Sequence, residues 1–89
     1  MGERGSDKGK NFPLAMAQEG ERVRIARLNG GHSLEIRLTD LGLNVGSELL
    51  ISHRQGGQLV VIRGETRLAL GASMAQKILV SRLEANAEE

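Results

Sequence analysis

The sequence predicts a small, mostly β fold, a β-barrel of about five short strands with one short helix after the first strand. Polar and apolar residues alternate along Arg22-Val23-Arg24-Ile25, the period-two signature of a half-buried strand. Glycine-bearing turns recur at short intervals, at Asn29-Gly30-Gly31, Gln55-Gly56-Gly57 and Gly64-Glu65. Helical spacing of apolar residues is carried by a single segment, from Ser33 to Leu43. A chain of 89 residues is too small for two stacked sheets of any size, so closely spaced strands favour a barrel, which removes most exposed edges.

The first strand starts at Glu21, with Val23 and Ile25 facing inward. Its alternation stumbles at Ala26-Arg27-Leu28, where a bulge or bend lets Leu28 rejoin the core before the glycine turn. Ser33 is placed to cap the helix, Glu35 adds favourable charge in its first turn, and the helix is expected to begin near Leu34. Leu34, Leu38 and Leu41 line one face at i, i+4 and i+7. Gly42 stands where a left-handed residue ends a helix, and Leu43 falls where it can touch Leu38 in a Schellman-type ending. Asn44-Val45-Gly46 then turns the chain into a second strand, Glu48 to Arg54, which pairs through the Gly56-Gly57 hairpin with Gln58 to Arg63. In that third strand Leu59-Val60-Val61-Ile62 is apolar on both faces, as expected for a central strand. Thr66 to Leu70 completes a meander, Gly71 to Gln76 reads as a single 3₁₀-type turn, and Lys77 to Leu83 is the last strand. The helix would plug an open end of the barrel.

Composition divides the chain. Residues 1–11 are Gly-rich, charged and poor in large apolar side chains, and are expected to be a flexible extension. Residues 12–84 form the folded domain, and residues 85–89 an acidic tail. The core is thin and there is no cysteine to staple it, so a partner or self-association would add stability. The absence of an apolar leader or a membrane-length apolar run suits a cytoplasmic protein that meets a membrane only through a partner. A net charge of +1 gives no electrostatic footprint for nucleic acid, and Phe12 is the one aromatic residue. Grooves that read proline-rich peptides and sheets that stack bases are built from aromatic side chains, so both functions are disfavoured.

No Ser/His/Asp or Cys/His constellation is present, and no enzyme activity is expected. His32 and His53 lack metal-ligand spacing and a supporting carboxylate cluster, so neither a metal site nor a cofactor is expected. The chain has no Gly-x-x-x-x-Gly-Lys-Ser/Thr loop for nucleotide phosphates. Ile36 is the residue that stands out, because the 100° helical step puts it opposite the Leu34, Leu38, Leu41 face. It is either an inconsequential exposed side chain, one covered by another segment, or, beside Arg37, part of a docking surface. Arg24, Arg27 and Arg67 are either solvated strand charges or a basic stripe, and Arg27 breaks the strand alternation.

The chain resembles the FeoA family. The resemblance spans roughly Phe12 to Leu83 and rests on Pro13-Leu14 with Gly20 before the first strand, Gly30-Gly31, the helix end Arg37-Leu38-Thr39-Asp40-Leu41-Gly42-Leu43, Val45-Gly46, and Arg67-Leu68-Ala69-Leu70. The hairpin loop at Gly56-Gly57 is shorter than in many relatives, and the charged N-terminal extension is not typical of them. Similar domains also occur at the C-terminus of metal-dependent transcriptional repressors, of which this chain would be a free-standing counterpart.

The resemblance implies an SH3-like β-barrel and an accessory or regulatory role in bacterial ferrous iron uptake, through contact with FeoB, a membrane transporter with a cytosolic GTP-binding domain. Any GTP chemistry would belong to that partner. The expected contact is bordered by Ile36, Arg37, Leu41, Leu43 and Arg27, with Leu41 and Leu43 serving both core and rim. A self-associating module, such as a homodimer sharing a sheet edge, is the alternative, and a nucleic-acid-binding small barrel is the less favoured third.

Overall fold

The computed structural model describes residues 11–83; apart from Asn11, the expected N-terminal extension and the acidic tail lie outside the described residues. One antiparallel sheet of six strands runs in the order β1-β6-β2-β3-β4-β5, with β1 at Phe12–Pro13, β2 at Arg22–Leu28, β3 at Glu48–Gln55, β4 at Gln58–Arg63, β5 at Thr66–Gly71 and β6 at Ile78–Arg82. A 3₁₀ turn, Leu14–Met16, follows β1; helix α1, Gly31–Asp40, follows β2; helix α2, Ala72–Lys77, joins β5 to β6.

The fold is the small SH3-like β fold expected, with a sixth strand. That strand, β1, has two residues, paired as Phe12 with Val80 and Pro13 with Leu79. Two residues carry no alternation to read, and proline, which lacks an amide donor, is tolerated at a sheet edge. The sheet does not close by hydrogen bonds, since β1 and β5 are its two ends. The 3₁₀ turn instead packs against α2, so helical segments fill the seam where a closed barrel would pair strands.

The expected bulge is present, as the register between β2 and β6 shifts between Ile25 and Arg27. A second shift, between Ile51 and His53 in β3, leaves Ser52 unpaired and bends the sheet there. Gly56 and Gly57 both have positive φ, the requirement of a type I′ hairpin.

Helix α1 starts three residues earlier than its leucines suggest. Gly30 is the N-cap and no side chain caps the helix, so Ser33 lies within it. Gly30 allows this by close approach: a Cβ there would stand 2.6 Å from a Leu34 methyl and 3.2 Å from the Lys77 side chain. The ending is the Schellman motif the sequence indicates. The Leu43 amide donates to the Leu38 carbonyl at 2.8 Å, and the Gly42 amide to that of Thr39 at 2.9 Å. Leu34 and Leu38 are buried, tying α1 to the core with Leu14, Ile25, Leu43 and Val80 among others. Where Gly71 to Gln76 reads as a single 3₁₀-type turn, Ala72–Lys77 is a short α-helix whose Ala75 is buried.

At the β1 end, charge and packing combine. The Arg82 guanidinium lies 5.1 Å from the centre of the Phe12 ring and bonds the Glu21 carboxylate, which also accepts from the Gln18 amide at 2.8 Å. Partial burial acts to raise the Glu21 pKa, but the Gln18 amide and the Arg82 charge outweigh it and hold the pKa below the ordinary value of 4.5. A depressed carboxylate pKa contributes stability that is fully present above the unfolded value and is lost as pH falls through the folded one. The urea midpoint is therefore expected to fall as pH drops below about 4.5, and Glu21→Gln should flatten that acid limb relative to the parent. An unchanged acid limb in the variant would show that Glu21 does not contribute to it.

Candidate protein-docking surface

On α1, Leu34 and Leu38 occupy the core side and leave the opposite side to solvent. Ile36 is there, 50% exposed, with Arg37 exposed beside it. Leu41, at the C-cap, is 37% exposed and stands at the rim of this surface. Leu43 does not: it is fully buried, because the Schellman ending turns it inward against Leu38, and it belongs to the core alone. Val45, in the following turn, is an exposed apolar residue that the sequence offers no reason to single out.

Arg27 is exposed just after the β2 bulge, opposite Leu79 of β6. Among the described residues no ion pair joins it to α1. Arg24, Arg27 and Arg67 do not form a basic stripe, since the Arg24 guanidinium is held by Glu48 at 2.9 Å on the neighbouring strand and Arg67 lies across the sheet on β5. His32 is 3.6 Å from the Glu35 carboxylate on the exposed first turn of α1. His53 bonds through its two ring nitrogens to Ser52 and Gln55, at 3.0 and 3.1 Å. Among the described residues no three His, Cys, Asp or Glu side chains converge on a point that could hold a metal ion.

The sheet's outer face holds a feature absent from the sequence reading. Arg22 pairs with Leu50, Leu50 with Ile62, and Ile62 with Arg67, so these four form one continuous row across β2, β3, β4 and β5. Directly opposed residues point to the same face, and Val23, Ile51 and Val61, one position along, and Leu70, three positions along, fill the core. Leu50 and Ile62 are half-buried and the two arginines exposed. A groove of about 220 Å³ opens at the Arg22 end of this row, bordered by Arg22, Glu48, Leu50, Ile62, Gly64 and Leu83 among others; Arg67 lies outside it, at the far end of the row. The sequence signal for it is the double apolar character of Leu59 to Ile62, which a central strand position also explains. β4 is internal to the sheet, yet nothing among the described residues fully covers its second face at Ile62.

A second recess, of about 170 Å³, lies at the seam between the 3₁₀ turn and α2, lined by Ala15, Arg54, Leu59, Ala72 and Ala75 among others. Its one charged group is committed: the Arg54 guanidinium donates to the carbonyls of Ala15 and Ala17, the latter at 2.8 Å. This recess belongs to the architecture of the seam.

Residues 12–82 match the model of the FeoA domain. The chain belongs to the FeoA domain family. A protein of Methanocaldococcus jannaschii that carries the name Fe(2+) transport protein A is 34% identical over 77 residues, a match covering 86% of this chain and 94% of that one. Among solved structures, the iron uptake regulatory protein FeoA superposes with a TM-score of 0.76 at 24% identity, over 83% of this chain and 99% of its own. A FeoA-like protein from Clostridium acetobutylicum reaches 0.77 at 21% identity, covering 90% and 95%. A manganese-dependent transcriptional repressor matches at 0.74 and 22% identity, over 82% of this chain but only 42% of the repressor. These three structural likenesses speak to fold. Free-standing FeoA proteins are matched over almost their whole length and the repressor over a part. Among the described residues no helix of this FeoA-family chain is long and apolar enough to cross a membrane.

Proposed function

We propose that this FeoA-family protein is a non-enzymatic, cytoplasmic accessory protein of ferrous iron uptake that acts by contact with a FeoB-type membrane transporter through the transporter's cytosolic GTP-binding domain. The observation that carries the reading is the family match over residues 12–82, together with a relative named for Fe(2+) transport that aligns over nearly its full length. An adaptor needs a rigid scaffold and an exposed surface of mixed character, and α1 offers both. Its inner face is anchored by Leu34 and Leu38, and its outer face presents Ile36 beside Arg37, with Leu41 at the rim. The chain has no phosphate-binding loop of its own, so nucleotide dependence would enter through the partner.

Calorimetry against the cytosolic portion of the cognate FeoB, with a GTP analogue, with GDP and without nucleotide, tests the contact. Binding that depends on nucleotide identifies a regulator that reads the GTPase state, and equal binding in all states a scaffold. Replacing Ile36 and Arg37 together with serine is expected to weaken the contact at least about tenfold while leaving the fold intact, since neither side chain is buried. Normal binding by such a folded variant would remove α1 from the interface.

A second reading, a self-associating module, rests on β5. Among the described residues this strand pairs with β4 alone and stands at the end of the sheet, and the part of its edge that the helical segments of the seam leave uncovered is where a second copy could add. Sedimentation across a wide concentration range distinguishes a dimer from a monomer.

A further inference from the structure

The row Arg22, Leu50, Ile62, Arg67 has a chemistry distinct from the α1 surface and lies on different elements. Two apolar side chains stand at its centre, and a guanidinium stands at each end. Glu48 also borders the groove, but its carboxylate is held by Arg24 at 2.9 Å, so Arg22 supplies the uncompensated charge at that end. Among the described residues neither Arg22 nor Arg67 enters an ion pair. We propose that this row docks an extended, acidic segment of a partner protein in which two carboxylates flank one apolar side chain. The inference goes beyond the transporter contact assigned to α1 and does not depend on it.

The spacing supports this occupant. Neighbouring strands lie about 4.8 Å apart, so the backbone positions of Arg22 and Arg67, three strand steps from each other, are separated by about 14 Å. An extended peptide rises about 3.3 Å per residue, which puts side chains i, i+2 and i+4 on one face with about 13 Å between the outer two. A carboxylate at i, a leucine-like side chain at i+2 and a carboxylate at i+4 therefore meet Arg22, the Leu50–Ile62 centre and Arg67 in turn. Arginine recognises carboxylate in a bidentate geometry, and its long stem absorbs the curvature of the sheet. A nucleic acid is a poorer occupant, because the centre of the row is aliphatic and offers no ring on which a base could stack.

The test uses the full chain labelled with ¹⁵N and three capped nonapeptides sharing Thr-Thr flanks, with the cores Glu-Ser-Leu-Ser-Glu, Lys-Ser-Leu-Ser-Lys and Glu-Ser-Ser-Ser-Glu. The first peptide is expected to shift amides along the row in β2 to β5, with an affinity that falls as salt is raised, and the other two to bind at least about tenfold more weakly. The double variant R22E/R67E should lose the first peptide and gain the lysine one, a reversal that a merely unfolded protein would not show. No shift at millimolar peptide, shifts centred on α1 or the seam, or equal binding of the acidic and basic peptides would each overturn the proposal. It would equally be overturned if E84Q/E88Q/E89Q shifted the row in the absence of peptide, since the groove would then serve the chain's own acidic C-terminal residues.

Discussion

Leu38→Ala is expected to destabilise the protein by about 2–5 kcal/mol, read as a lower urea midpoint with the slope nearly unchanged. Leu38 is fully buried, and its carbonyl accepts the Leu43 amide that ends α1. The truncation leaves a cavity between α1 and the sheet, and neighbouring side chains held by strand pairing can collapse into it only in part. A domain this small has a total stability toward the low end of about 5–15 kcal/mol, so the variant should be partly unfolded near body temperature. Ile36→Ser on the same helix is the control. Its side chain is half exposed, and its stability should change by no more than about 0.5 kcal/mol. If the two substitutions proved equally costly, α1 would be packed on both sides, and the docking role given to its outer face would fail.

Arg54→Ala is expected to cost about 2 kcal/mol, because one guanidinium joins β3 to the chain segment that fills the seam. The carbonyls of Ala15 and Ala17 both accept from it, and Ala17 is fully buried. Removal lets water reach the Ala15 carbonyl but leaves that of Ala17 poorly solvated, and a buried acceptor without a donor carries most of the penalty. Arg54→Lys should recover only part of the loss, since an ammonium does not reproduce the planar fork of donors. Hydrogen exchange locates the effect: faster exchange is expected at the Ala17 amide, which closes the 3₁₀ turn on the Leu14 carbonyl, with the β3–β4 hairpin little changed. Uniform acceleration across the domain would mean that Arg54 acts on global stability and does not specifically hold the seam.

Much of the fold could be read from local chemistry. The β2 bulge, the Gly42–Leu43 helix ending and the Gly56-Gly57 hairpin each depend on backbone preferences of a few adjacent residues, and each is found where those residues stand. The start of α1 was misplaced because Ser33 is a good cap by residue type. The Gly30-Gly31 pair, with Leu34 folded against Gly30, lets the helix begin earlier without one. Strand β1 was missed because its two residues are held by pairing with β6, which lies more than sixty residues away and leaves no local pattern.

The candidate surfaces divide in the same way. Ile36 could be picked out because helical geometry places it opposite the leucine face, and it is half exposed on that side. Leu43 could not be assigned to core or rim by position, since the turn after a helix decides which way the next side chain points; here it points inward. The row of Arg22, Leu50, Ile62 and Arg67 gathers residues from four strands and exists only through their registers.

The sequence by itself determined the secondary-structure plan, the turn positions and the helix ending, because glycine freedom, capping and side-chain periodicity act over a few residues. Only the tertiary structure decided that the sheet stays open with helical turns in its seam, that Leu43 is core, and that two arginines frame an apolar strip on the outer face. Those features depend on strand register and on which surfaces remain uncovered, and both are set by contacts between residues far apart in the chain.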